Sequence, residues 1–249
     1  MNKSTPTSSL ILIFLVLAMP ASSVDYWVSS DNQAVTTVND CGIVSFALGN
    51  PRIRRVFMSD REPGDVLGLA VRLRSGDEIE VPVGGRLEWI TGKNTIAVLG
   101  HDSRVKIEGL RYFTDADGVQ VSRLDLRLVK GDIRLQVRFN QNLPEAVMVG
   151  LEGADALIVR GDVVLMGGGA WFGATIFGGG VQARLKQGNA AGAPFTVPER
   201  MSISPSGEGK LGDAALFEIM GRLPFSFELT TVALPPLPAL GADIEAQGP

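Results

Sequence analysis

The sequence predicts an all-β protein, a sandwich or roll of short antiparallel strands with one short C-terminal helix and a Pro-rich tail. Three observations carry this. Apolar residues alternate with polar ones at period two through most of residues 42–204, which puts each apolar set on one face of a sheet. Thirty glycines in 249 residues interrupt these runs with turn chemistry. Only one segment, close to the C-terminus, has a helical period.

Residues 74–109 show the rhythm best. Ile79, Val81 and Val83, then Leu87 and Trp89, then Ile96 and Val98, then Val105 and Ile107 alternate with polar residues. Ser75-Gly76, Gly84-Gly85, Gly92-Lys93-Asn94 and Gly100 separate them as turns. A further turn is expected at Asp115-Ala116-Asp117-Gly118. In "RLDLRLVKGDIRLQVRF", Leu124, Leu126 and Leu128 form one inward set, and Ile133, Leu135, Val137 and Phe139 a second. Lys130-Gly131-Asp132 between them reads as a hairpin turn. Further strands are expected over 147–149, 157–159, 163–166, 181–185, 195–197 and 201–204. "LGDAALFEIMGRL", 211–223, reads as the helix, with Asp213 as its cap, Leu216, Ile219 and Met220 as its apolar stripe, and Leu223-Pro224 as its end. The tail 235–249 is Pro-rich and is expected to be extended or without fixed structure.

The composition is 45% hydrophobic and 20% charged, which is globular, with enough chain for one large all-β domain or two smaller ones. A net charge of −4 gives no global signal for nucleic-acid binding. Lys3, the apolar run 10–19, and small residues ending at Ala21 and Ser23 match a cleaved signal peptide over 1–23. The run is shorter than the roughly 20 residues of a membrane span, although an uncleaved anchor is the alternative. The expected location is therefore the periplasm or the exterior of a bacterial cell. Cys41 is the single cysteine, so no intramolecular disulfide forms, and it reads as a buried thiol.

The ordered segments "GIVSFALGNPRI" (42–53), "VRLRSGDEIEV" (71–81), "HDSRVKI" (101–107), "LRLVKGDIRLQV" (126–137) and "LIVRGDVVLM" (157–166) together resemble the FecR domain. The resemblance covers roughly 42–204. It departs from the family pattern at His101-Asp102-Ser103, where the middle glycine is missing, and at Asp162, where threonine is usual. It implies a β domain over 42–204, preceded by a lead-in (24–41) and followed by a helix-containing extension (205–234). Well-known members span the membrane and regulate sigma factors through a cytoplasmic N-terminal segment. Nine residues precede the apolar run here, so an export-only form of the domain is expected.

Catalytic chemistry has thin support. His101 is the single histidine, which rules out a multi-histidine metal site. The neighbours His101, Asp102 and Ser103 have hydrolase residue types, but alternating strand residues point apart. Asp115 and Asp117 resemble part of a calcium loop whose next positions, Val119 and Val121, offer no oxygen. No catalytic residue, metal ligand or cofactor is expected. Arg160-Gly161-Asp162 matches an adhesion tripeptide but sits between strand residues, as a turn would.

Two interaction candidates remain. Arg123, Arg127, Arg134 and Arg138 are expected to share the solvated face of a hairpin, with guanidinium forks suited to carboxylates or phosphates. The Gly-rich stretch 167–180 presents Trp171, Phe172 and Phe177, either as a binding loop or as plugs closing the core. The expected role is a non-catalytic extracytoplasmic binding or interaction module, with an envelope protein or anionic glycan as partner, possible service in envelope signalling, and no nucleic acid. A structural component of an envelope or secretion complex is the alternative, and a hydrolase a distant third. N-terminal sequencing of protein from its native host should find a mature chain beginning near Val24; a chain retaining residues 1–23 would contradict export with cleavage.

Overall fold

The computed structural model describes residues 36–56, 64–92, 95–114, 120–138, 145–168, 172–187 and 190–226. The signal-peptide region, the Asp115–Gly118 turn and the Pro-rich tail lie outside these residues. Among these described residues seventeen strands and one helix follow in order. They are β1 (Thr36–Val38), β2 (Asp40–Leu48), β3 (Arg52–Arg54), β4 (Asp65–Val66), β5 (Arg72–Arg74) and β6 (Glu78–Val81). Next come β7 (Arg86–Thr91), β8 (Thr95–Leu99), β9 (Ser103–Thr114), β10 (Gln120–Val137), β11 (Glu145–Gly150) and β12 (Ala154–Gly167). The last are β13 (Phe172–Gln187), β14 (Ala190–Ala191), β15 (Phe195–Thr196), β16 (Met201–Ser204), β17 (Gly207–Lys210) and α1 (Asp213–Arg222).

The expected all-β sandwich with a C-terminal helix is the observed architecture. One layer runs β4-β3-β6-β9, then the first half of β10, then β11, the first half of β12, the second half of β13, and β15, with β1 beside the far end of β9. The other runs β5-β2-β7-β8, then the second halves of β10 and β12, the first half of β13, and β16-β17. Ile79, Val105, Leu126 and Leu128 from the first layer meet Leu87, Trp89, Leu99, Ile133 and Leu135 from the second in one core.

The hairpin expected at Lys130-Gly131-Asp132 is absent. Residues 120–137 form the single strand β10, bent where Gly131 takes φ +79° and the register against β9 slips between Leu128 and Lys130. The apolar parity changes there, from 124, 126, 128 to 133, 135, 137, so both halves keep their apolar face inward across the slip. Chain geometry demands the bend. Strand β11 runs parallel to β10 with Glu145 opposite Ser122. A straight β10 would hold Val137 about 50 Å from Ser122, whereas the eight residue steps from Val137 to Glu145 span at most about 29 Å. β10 has to turn back on itself.

The same device joins two expected strands into β12. Gly161 takes φ +129°, the register against β13 shifts on both sides of it, and inward parity passes from Ala154, Ala156 and Ile158 to Val163 and Leu165. Gly76, the third member of the Gly-Asp set, does form a turn. The predicted His101 turn is also present, and Asp102 occupies its left-handed position at φ +51°, a conformation that Asp tolerates better than most residues. The helix stops at Arg222, before Leu223-Pro224, as expected. Its N-cap is Gly212 and not Asp213, which sits in the first turn and pairs with Arg200.

Helix α1 packs on the outer face of the second layer. Ile96 and Val98 of β8 and Val164 of β12 point outward to meet Leu211, Leu216 and Leu223, with Ile219, Met220 and Phe225 alongside. Ser103 fastens the β10 bend: its Oγ donates to the His101 carbonyl at 3.1 Å and accepts the Asp132 N–H at 2.8 Å. A Cβ on Gly131 would overlap Ser103 Oγ and stand 2.5 Å from Ser103 Cα. Gly131→Ala should therefore combine a left-handed backbone cost with a steric one and lose roughly 2–5 kcal/mol in urea denaturation; a variant as stable as the parent would refute this account of the bend.

Candidate interaction surface

The bend separates the four arginines that sequence periodicity placed on one face. Arg123 and Arg127 project from the first layer; Arg134 lies beyond Gly131, on the outer face of the second. Arg123 is buried, its Nε donating to Asp125 Oδ1 at 2.6 Å, and Asp125 also pairs with Arg111 at 2.9 Å. Arg127 is exposed, 3.9 Å from Glu108, and Arg138 is exposed just past the end of β10. The single solvated arginine face is thus corrected to two buried ion-paired groups and two separate exposed ones.

Arg134 is the most heavily engaged of the four. Its Nε and Nη2 grip both oxygens of Asp162 at 2.8 and 2.6 Å, its Nη1 donates to the Leu223 carbonyl at 3.0 Å, and the Phe225 ring lies 4.2 Å from the guanidinium carbon. Asp162 is 0% exposed. That burial also disposes of the adhesion tripeptide, whose acid must reach a partner. Next to this cluster Glu88, equally buried, accepts the Ser45 hydroxyl at 3.1 Å and the Ser226 N–H at 2.7 Å. Arg86 donates to Ser226 Oγ at 3.0 Å and stacks over Phe46. These groups hold residues 223–226 across the sheet as a strap.

The aromatic loop is corrected as well. Trp171 lies outside the described residues, but Phe172 and Phe177 belong to the backbone of β13, paired opposite Met166 and Asp162 of β12. Gly180 pairs with Arg160 in the same ladder, and Gly173 packs between Leu165 and Ile203. Gly173 thus serves close approach within a strand and not the freedom of a loop.

The hydrolase-like triplet is taken up by the fold. Ser103 is fully buried with its hydroxyl committed to backbone groups, His101 and Asp102 are exposed, and Asp102 pairs with Lys130 at 2.6 Å. Among the described residues no group of three His, Cys, Asp or Glu is placed to hold a metal ion. Cys41 is buried, and burial pushes its thiol up to about 11, far from the reactive thiolate range. Asp77 is buried against Arg55 at 2.6 Å and accepts the Arg74 N–H at 2.7 Å, and burial raises both its carboxyl and that of Asp132.

What the structure does assemble is a charged face on the outside of β3, β6, β9 and β10. Cross-strand register places Arg52, Glu80, Arg104 and Lys130 in one row, and Arg54, Glu78, Lys106 and Arg127 in the next. By column, β3 is basic, β6 acidic, and β9 and β10 basic. Arg104 pairs with Glu78. Only Arg127 of this set figures among the candidates drawn from the sequence. The signal for the six residues of β3, β6 and β9 is present in "PRIRR", "DEIEV" and "SRVKI", each alternating charge with a core residue, but their adjacency depends on non-local pairing.

No family model matches the sequence, and no curated protein matches it. Among solved structures, two crystal structures of a candidate anti-sigma factor from Parabacteroides distasonis are similar, each with a TM-score of 0.37 at 13% and 12% identity. Each alignment covers 54% of this chain and 59% of the other, so the chain spans a little over half the length of those proteins.

Removing one partner of a buried pair leaves the other charge uncompensated, so Arg134→Gln should cost about 3–5 kcal/mol. The exposed Arg127→Gln should change stability by less than about 0.5 kcal/mol. Chemical denaturation of the two variants tests the contrast, and equal losses would contradict the assignment of Arg134 to the buried cluster.

Proposed function

We propose that the protein is a non-catalytic binding module of the bacterial envelope that takes a protein partner on the charged face of β3, β6, β9 and β10. The face carries the proposal: it is the outer surface where register gathers eight charged side chains into two aligned rows. Its sign pattern favours a protein over a glycan. A uniformly anionic polymer laid across the columns would meet Arg52 and Arg54, then be repelled by Glu78 and Glu80, then meet Arg104 and Lys106. A folded partner can offer acidic, basic and acidic groups in matching order, which is how charged interfaces select partners and set orientation. The FecR-like order of motifs supports a role in extracytoplasmic signalling, and the signal-peptide pattern supports export. The commitment of Ser103 to backbone groups supports a non-catalytic reading.

A photo-crosslinker in place of Lys106 tests this in the native host. It should capture one envelope protein in a salt-sensitive manner, and Arg127→Glu should abolish the adduct without lowering the melting temperature. The same crosslinker at Phe217, exposed on helix α1, should capture nothing. Equal capture at both positions, or retention by an acidic polysaccharide that survives Arg127→Glu, would overturn the proposal.

A further inference from the structure

The second layer ends on strand β17, and register fixes which way its main chain points. Leu211 N–H donates to the Arg200 carbonyl at 2.8 Å, and the hydroxyls of Ser202 and Ser204 donate to the carbonyls of Gly209 and Gly207 at 3.1 and 3.3 Å. Residues 207, 209 and 211 therefore turn their backbone groups toward β16. Alternation along an antiparallel strand leaves those of Glu208 and Lys210 aimed at the open side, where no described strand pairs with them. The opposite edge of the layer is closed: at β5 the Arg55 guanidinium donates to the Arg72 carbonyl at 3.2 and 3.3 Å.

β17 reads Gly-Glu-Gly-Lys. Glu208 and Lys210 are exposed and share one face, opposite Ile203 and Met201, while Gly207 and Gly209 put no side chain on the other. Among the described residues neither Glu208 nor Lys210 has an ion-pair partner, whereas the neighbouring Arg200 and Asp213 pair with each other. Laid antiparallel against a copy of itself with Gly209 on the two-fold axis, this strand sets each Glu208 directly across from the second copy's Lys210. These are also the residues whose N–H and C=O groups face the open edge, so main-chain bonds and charge pairs fall at the same positions. A slip of two residues either way centres the axis on Glu208 or on Lys210 and opposes like charges, which is destabilising. The charges thus select one register.

We propose that β17 pairs with the β17 of a second copy of this chain, antiparallel about Gly209, and joins two second layers into one sheet. The contact is isologous, as a two-fold dimer requires. Strands of this length bury little area, so the dimer is weak and forms at high local concentration. The inference is independent of the charged face, which lies on the first layer.

Sedimentation velocity reads the association directly. The purified protein should pass from monomer to dimer as its concentration rises. Glu208→Lys and Lys210→Glu should each weaken that association at least tenfold and leave the melting temperature unchanged. An equimolar mixture of the two single variants should recover the parent's association, because one strand then carries two basic groups and the other two acidic ones. The double variant, Glu208→Lys with Lys210→Glu, should recover it alone. A protein that stays monomeric at every concentration, or association that the single variants leave intact, would overturn the proposal. So would single variants that lose association and do not regain it on mixing.

Discussion

The Arg134–Asp162 pair is the interaction on which the second layer and everything packed on it depend. The two residues lie on adjacent bent strands, β10 and β12, just after the glycines that bend them. Both face outward, where a small sandwich would ordinarily show solvent. Burying such a pair is costly unless the remaining hydrogen-bonding capacity is met. Here the guanidinium also reaches the Leu223 carbonyl and lies against the Phe225 ring. The helix is held to the sheet by the apolar contact of Leu216 and Leu223 with Ile96, Val98 and Val164, while the ion pair fixes where the chain goes next.

Much of the fold is legible in period-two alternation because nearly every inward position from Ile53 to Ile203 is apolar. What the alternation conceals is continuity. A break of parity at a Gly-Asp pair looks the same whether the chain reverses in a turn or passes through a bulge, since at Gly76, Gly131 and Gly161 alike the glycine takes a positive φ. At Gly76 the chain turns; at Gly131 and Gly161 it bends and goes on. The difference is settled by partners distant in sequence, chiefly the parallel seating of β11 beside the first half of β10.

The candidate surface was harder to read for the same reason. Arg123, Arg127, Arg134 and Arg138 do alternate correctly, but the bend sends them to different layers, and ion pairing buries Arg123 and Arg134 on the outer faces. The charged face combines residues from four strands spanning residues 52–130, and each strand taken alone is an unremarkable amphipathic segment. Register, invisible in local pattern, makes the two rows. The aromatic stretch misleads in the opposite direction: a Gly-rich run that suggests a loop belongs largely to strand β13, where Gly173 lets the chain pack close to Leu165 and Ile203.

The strap also sets an order of events during synthesis. A chain emerging N-terminus first completes Asp162 well before Leu223 arrives to accept from Arg134. At 5–20 residues per second this interval is on the order of 3–12 s. Throughout it the outward cluster and the apolar row of Ile96, Val98 and Val164 lack their cover. A nascent intermediate of this protein thus presents a greasy, charged sheet face that the finished molecule hides, the kind of surface chaperones hold, and the last part of the described chain to be made is the part that retires it.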